Sequence, residues 1–233
     1  MISKIQRKFT TFTRKAYRLR LFRDNTSGVA FVEFAFTLPI LLSLGMLGGE
    51  TANYTITHMN VSQIAMQVAD SGSRVGEHDV LVDRRVTEDD VNDVLVGAEN
   101  LGDRIGIFEN GRVILSSLEQ NEEGGQWIHW QRCRGAKNFT SSYGVEGDGE
   151  TGNAFKGMGE TGQLITAPDS NAVMFAEVSY DYQSLTPFNF LEGREIRYTA
   201  AFSVRDVRNL EQLFPSSTGQ NSADCDTFSS DRP

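Results

Sequence analysis

The chain of 233 residues carries 22 Lys and Arg against 31 Asp and Glu, a formal net charge of −9, with 39% hydrophobic residues and 2 cysteines. That length holds one domain beyond a membrane segment. With so few cysteines a structural zinc would need histidine ligands, and His58, His78 and His129 have no metal-binding spacing.

The charge is unevenly placed. Residues 1–23 hold eight bases (Lys4, Arg7, Lys8, Arg14, Lys15, Arg18, Arg20 and Arg23) and no acid. Asp24 is the only acid before Gly28, so the rest of the chain keeps 14 bases against 30 acids. A body with about sixteen surplus negative charges repels phosphates, which argues against a nucleic-acid partner.

The leader is followed by "DNTSGVAFVEFAFTLPILLSLGML", Asp24 to Leu47. The nineteen residues from Val29 to Leu47 are long enough to cross a bilayer as a helix. Glu33 interrupts them, although a charge inside a membrane helix costs about 3 kcal/mol and such residues usually have a partner. Its alternative is to reach the headgroups from the inner end of the span. The basic flank predicts a cytoplasmic N-terminus and a translocated acidic body. A cleaved secretory signal peptide fits less well, because the apolar core exceeds the usual ~7 to 15 residues and "LGGETANYT" lacks an A-x-A site.

The helix should continue past Gly48 and Gly49, since Tyr54, His58, Val61, Ala65 and Val68 recur at spacings of three and four. One helix from about Val29 to Ser71 would be about 65 Å long, with Gly72 as its stop. The stripe fits either packing on the protein's own domain or a partner helix. A second helix is expected over "VTEDDVNDVLVGAENLGDR", with Thr87 as N-cap, Glu88, Asp89 and Asp90 in the first turn, and Val91, Val94, Leu95, Ala98 and Leu101 buried.

From Asp103 the period becomes alternating. "RIGIFENGRVILSSL" predicts a hairpin turning at Asn110-Gly111, and "QWIHWQRC" a third strand after the turn "NEEGG". Later strands place Met174, Ala176, Val178, Tyr180 and Tyr182 on one face, and Ile196, Tyr198, Ala200, Phe202 and Val204 on one face. Such alternation predicts an antiparallel sheet with one face buried and one wet, hence an α+β fold with helix packed on sheet. The segment "YGVEGDGETGNAFKGMGETGQL" predicts a mobile surface loop. Asp148, Glu150 and Asn153 there are a weak calcium candidate, without the EF-hand pattern.

No H-E-x-x-H, G-x-S-x-G or P-loop occurs, and no G-x-G-x-x-G stands between a strand and a helix, so no enzyme and no cofactor are expected. His129, beside Trp127 and Trp130, reads as a strand histidine before it reads as a base. Cys133 and Cys225 both fall in the body expected to be exported, where an oxidising compartment permits a bridge; two free thiols are the alternative.

The basic leader, the Gly, and "VAFVEFAFTLPILLSLG" with Glu33 at the fifth position after Gly28 together resemble the TadE-like family of tight-adherence (Tad, Flp-type) pilus systems, which includes the N-terminal segment of TadG proteins. The resemblance is strongest over residues 27–70 and looser over "WIHWQRCRG", "AEVSYDY" and "YTAAFSVR". It implies cleavage by a prepilin peptidase after Gly28, with Val29 as the new N-terminus. Glu33 would then pair with the α-amine of a neighbouring subunit, which has an unperturbed pKa near ~8, and fix register between apolar helices. Phe34 completes the Glu-Phe pair of the resemblance. Pro39, in its Leu-Pro pair, should kink or loosen the span. The leader is long and the body larger than a minimal pilin.

The expected organisation is a cytoplasmic leader over 1–28, a transmembrane segment over 29–47, an amphipathic extension over 48–72, an exported α+β head over 73–214 and a polar tail over 215–233, tied if a disulfide forms. The implied partners are the peptidase, other pilin or pseudopilin subunits, Tad inner-membrane assembly proteins and lipid. An uncleaved anchored TadG-like assembly protein and a membrane-tethered periplasmic binding domain using the glycine-rich loop are the rival readings.

Overall fold

The computed structural model describes residues 27–79, 82–187, 190–205 and 208–232; the basic stretch 1–26 lies outside them. Helix α1 spans Ser27–Gly72, followed by a two-stranded ribbon of β1 (Glu77–Asp79) and β2 (Val82–Arg85) and by helix α2 (Glu88–Gly102). Strands β3 (Gly111–Gln120), β4 (Gln126–Arg134), β5 (Val173–Asp181) and β6 (Glu195–Ser203) form one antiparallel sheet in the order β4-β3-β5-β6. The architecture is α+β: a long N-terminal helix followed by an antiparallel sheet packed with a helix. The chain divides between Thr51 and Ala52 into two compact units, and the remainder of this subsection concerns the second.

Helix α2 begins where its capping residues place it. Thr87 is extended, its hydroxyl accepts from the Asp90 N–H, and the Asp90 carboxylate accepts from the Thr87 N–H, a closed capping box. Val91, Val94, Leu95 and Ala98 are buried. Leu101, expected on the same face, is 51% exposed; it lies in the last turn, where Ile107 packs against the buried Gly102 instead.

The hairpin expected at Asn110-Gly111 does not form. Helix α2 runs into a 3-10 turn at Asp103–Ile105, which Gly106 ends in the left-handed region at φ 61°, a conformation suited to glycine. Ile107 and Phe108 then enter the core from a turn, with the Ile107 N–H donating to the Gly102 carbonyl. The apolar pair read as a strand is the plug beneath the helix end, and β3 starts only at Gly111.

One sheet face meets the helices. On it lie Val113, Leu115, Trp130, Met174, Ala176, Val178, Tyr180 and Ile196, clustered with Val61, Ile64, Ala65, Val68 and Ala69 of α1 and with the α2 stripe. Arg208 caps the end of α1 from a distance, donating to the carbonyls of Gly72 and Val75.

The other face is not wet. Strands β3 and β5 are buried on both sides, and only β6 keeps the expected alternation. The cover is the glycine-rich segment itself. It seats Tyr143, Phe155, Met158 and Ala167 against Leu118, Ile128, Val173 and Phe175, rather than standing off as a mobile loop. Its glycines permit close approach: a Cβ on Gly149, at φ 82°, would lie 2.1 Å from the Gln126 carbonyl oxygen.

The polar tail completes the cover. Cys133 and Cys225 are joined in a disulfide across a separation of 92 residues. Around it the tail is bonded residue by residue: Asp89 accepts from Ser216, Ser217 and Thr218, the Cys133 N–H donates to Ala223, and the Gly135 N–H donates to Ser229. The buried Arg112 guanidinium donates to the carbonyls of Gly135, Thr227 and Cys225 and carries the Phe228 ring 4.1 Å away. Replacing both cysteines by alanine should lower unfolding free energy by about 4.6 kcal/mol, the loop-closure value for a bridge of this span, and admit protease to the tail in the folded chain. Denaturant midpoints and limited proteolysis of the C-terminus, each with and without reductant, check this.

Candidate functional site

Two features stand out: an uncovered apolar helix in the first unit and a set of buried polar groups in the second. Among the described residues one helix is long and apolar enough to cross a membrane, and none of its most apolar window is buried. Val29, Phe31, Phe34, Phe36, Ile40, Leu41, Leu42 and Leu44 are all exposed, Phe31 and Phe36 by more than 70%. A surface of this kind is stable against lipid tails or other apolar helices and not against water.

The residues singled out in the sequence fall in that helix as follows. Gly28 and Val29 are both within α1, and a Cβ on Gly28 would meet nothing within 4 Å. Val29 and Glu33 are four residues apart, one turn, and so share a face. Glu33 is exposed among these apolar neighbours and makes no hydrogen bond or ion pair with any described residue. Phe34 is 57% exposed, and its carbonyl accepts from the Thr37 hydroxyl. Pro39 stands inside the helix, which continues through it. Its ring removes one N–H, while its carbonyl accepts from the Ser43 hydroxyl at 2.7 Å. Gly45 and Gly49 are also four apart, and a Cβ on either would meet nothing within 4 Å; that spacing lets helix backbones approach closely in lipid.

In the second unit the aromatic side chains of α1 meet the sheet. Tyr54 stands edge-on to Tyr182 with centroids 4.9 Å apart, Asn53 donates to the Tyr182 hydroxyl at 2.8 Å, and His58 Nδ1 lies 3.2 Å from the Tyr198 hydroxyl. The stripe from Tyr54 to Val68 is thus used within this unit, packing on its own domain.

His129 is the extra residue of a β-bulge in β4, since Ser117 faces Trp130 and Leu118 faces Ile128. Its Nδ1 is 2.9 Å from Glu119 Oε2, its ring stacks on Trp127, and Ser117 donates to the other Glu119 oxygen. This is a satisfied strand histidine. Asp148 of the calcium candidate spends one carboxylate oxygen on the Val145 N–H, capping its own turn. A cavity of about 290 Å³ lies under the tail, lined by Arg112, Ile114, Phe139, Ser141, Glu146 and the disulfide.

Several charged groups that periodicity could not single out hold the layers together. Arg132 makes a two-point pair with Glu88 at 2.6 and 3.0 Å, and Arg134 reaches Glu99 at 3.1 Å while lying over the Phe108 ring. Both arginines tie β4 to α2. Glu177 is fully buried on the other face, where burial raises its pKa while the Ser141 hydroxyl and Ser142 N–H oppose the rise. No family model, no curated protein and no solved structure matches this chain.

Glu195, at the start of β6, is held down to about 2 from 4.5, first by the Lys137 ammonium, then by Arg197 and the Ser179 hydroxyl. A depressed carboxylate adds stability that is complete above its unfolded value and is lost as pH falls through the folded one. Glu195→Gln should therefore remove part of the slope of stability between about pH 5 and 2 and lower Tm at pH 7. Tm against pH for the two chains checks both the sign and the window.

Proposed function

We propose that the protein is a TadE-like minor pilin or pseudopilin acting in assembly of a Flp-type pilus. The precursor sits in the bacterial inner membrane with the N-terminal leader cytoplasmic and the α+β head periplasmic. A prepilin peptidase cuts after Gly28. The single observation that carries this reading is the carboxylate of Glu33, without a partner among the described residues and exposed in an apolar helix one turn from Val29.

The chemistry follows from the spacing. Cleavage would create an ammonium at Val29, on the helix face that carries Glu33. A second processed helix alongside offers the complementary charge, and two such ends at one depth in lipid are each other's best partners. Apolar helices slide past one another at little cost, whereas a buried ion pair is satisfied in one register only. The tail disulfide suits an oxidising compartment. The cavity under the tail supports a second reading, a membrane-tethered binding domain, which a small ligand stabilising the purified chain would favour.

In cells that make the cognate peptidase, intact mass and N-terminal sequencing of the membrane-extracted protein should give a chain starting at Val29. Gly28→Glu should abolish the cut. A wild-type chain still starting at Met1, where a known pilin is processed, would leave an anchored assembly protein. Glu33→Leu should be made, inserted and cut normally, yet fail to support surface pili by immunoblot of sheared filaments; normal piliation would remove the register role.

A further inference from the structure

Helix α1 keeps one face uncovered beyond its apolar span. From Ala52 onward the stripe of Tyr54, His58, Val61, Ala65 and Val68 packs on the head. The large apolar side chains of this half that stay exposed are Ile56, Met59 and Met66, each about half exposed. With the exposed Gln63 they recur at spacings of three, four and three, on the side of the helix away from that stripe.

In the sequence the same alternation runs back through Ala52, Gly49, Gly45, Leu42 and Leu38, about four heptads in all. Every position on this line but Gln63 is apolar or small, and all are exposed. Inside the span, lipid calls for apolar residues on every side. Beyond it no exposed face needs them, yet they keep to this one line. A repeat of 3.5 residues held over such a length is the pattern of a helix that winds around another.

The chemistry of the line identifies its occupant. Between Glu50, which is buried, and Asp70 the helix has no Asp, Glu, Lys or Arg, in a body with a large negative surplus. Two copies therefore meet along this strip with no like charges opposed, unlike the acidic surface elsewhere. Asn53, Asn60 and Gln67 flank the line on one side and Thr55 and Ser62 on the other. Such groups both donate and accept, so identical strips complement each other. Gln63 makes no hydrogen bond with any described residue. A lone polar residue at a seam position of a parallel pair sets its register, here by bonding its own counterpart. At the outer end Leu101 of α2 and Phe202 of β6 line a groove of about 520 Å³ beside Met66, which widens the apolar contact. The charges there are spent within each copy, Arg74 and Arg205 sharing Asp70.

We propose that two copies of this chain pair through the outer half of α1, parallel and in register, with Ile56, Met59, Gln63 and Met66 on the seam. A partner on this line has to keep the same direction over the same length, and a second copy held by the same span does so at high local concentration. The inference rests on the span being a membrane anchor. It does not use cleavage after Gly28, and Glu33 lies off the seam line.

The test uses the full chain carrying Gly28→Glu, which removes the proposed cut and so keeps filament assembly out of the readout, in membranes washed with carbonate. Met59→Cys and Gln63→Cys, one at a time, should each give a like-to-like disulfide and a species of twice the chain mass on mild oxidation, with the linked peptide identified by mass. Thr51→Cys, exposed on the same helix but off the seam, should give about tenfold less. Ile56→Glu with Met66→Glu should lower the yield at Met59→Cys about tenfold or more, while the Cys133–Cys225 bond within each copy still forms. Linkage only between staggered positions, Ala52→Cys in one copy and Met66→Cys in the other, would overturn the in-register pair. So would a linked species containing a different protein, or no link in a chain that resists carbonate. A chain released by carbonate would remove the anchor, and the proposal with it.

Discussion

Strands β3 and β5 are buried on both faces, and the rest of the head is arranged to supply those two covers. The helix face is supplied by the outer part of α1 and by α2, through an apolar layer from Val61 to Ala98. The second face carries Arg112, Ser116, Glu177 and Ser179, all of which must be satisfied away from water. Loop and tail do this with backbone groups: three carbonyls for Arg112, a serine hydroxyl and an N–H for Glu177. A polar face can be buried here because its partners are irregular segments, which present free carbonyls and N–H groups that a helix would keep for itself.

The same arrangement explains the tail. Its composition is that of a solvated segment, rich in Ser and Asp, with little apolar surface to drive docking. It is held instead by a covalent bond and by successive hydrogen bonds to α2, β3 and β4. The disulfide closes a long loop and removes much of the entropy that would favour release, so that individually modest bonds suffice.

The N-terminal helix obeys a different constraint. Its apolar side chains from Val29 onward are exposed, and beyond Ala52 the same helix carries a buried stripe ending at Ala69. One element thus has two surfaces suited to two solvents. The carboxylate of Glu33 is placed in the part where an unpaired charge costs most, which is why a partner for it is the central element of the proposed function.

Much of this was legible in the sequence. The helix bounds, the Thr87 cap, the residues of β5 and β6 that face the helices and the apolar span with its lone acid all follow from local rules: periodicity, capping and length. What failed were inferences about surroundings. Asn110-Gly111 has the composition of a hairpin turn, yet Gly106 ends the helix first and the core takes Ile107 and Phe108 as a plug. Alternation in β5 reports which residues face the helices, but cannot report that a segment with seven glycines, from Gly144 to Gly162, will cover the opposite face. Arg112 and Glu177 acquire their roles from chain segments up to 115 residues away. Sequence alone determined the elements and the membrane-compatible span, because those depend on neighbours within a few turns. Tertiary structure alone decided which polar groups are buried and what satisfies them, because hydrogen-bond satisfaction is a property of the whole folded chain.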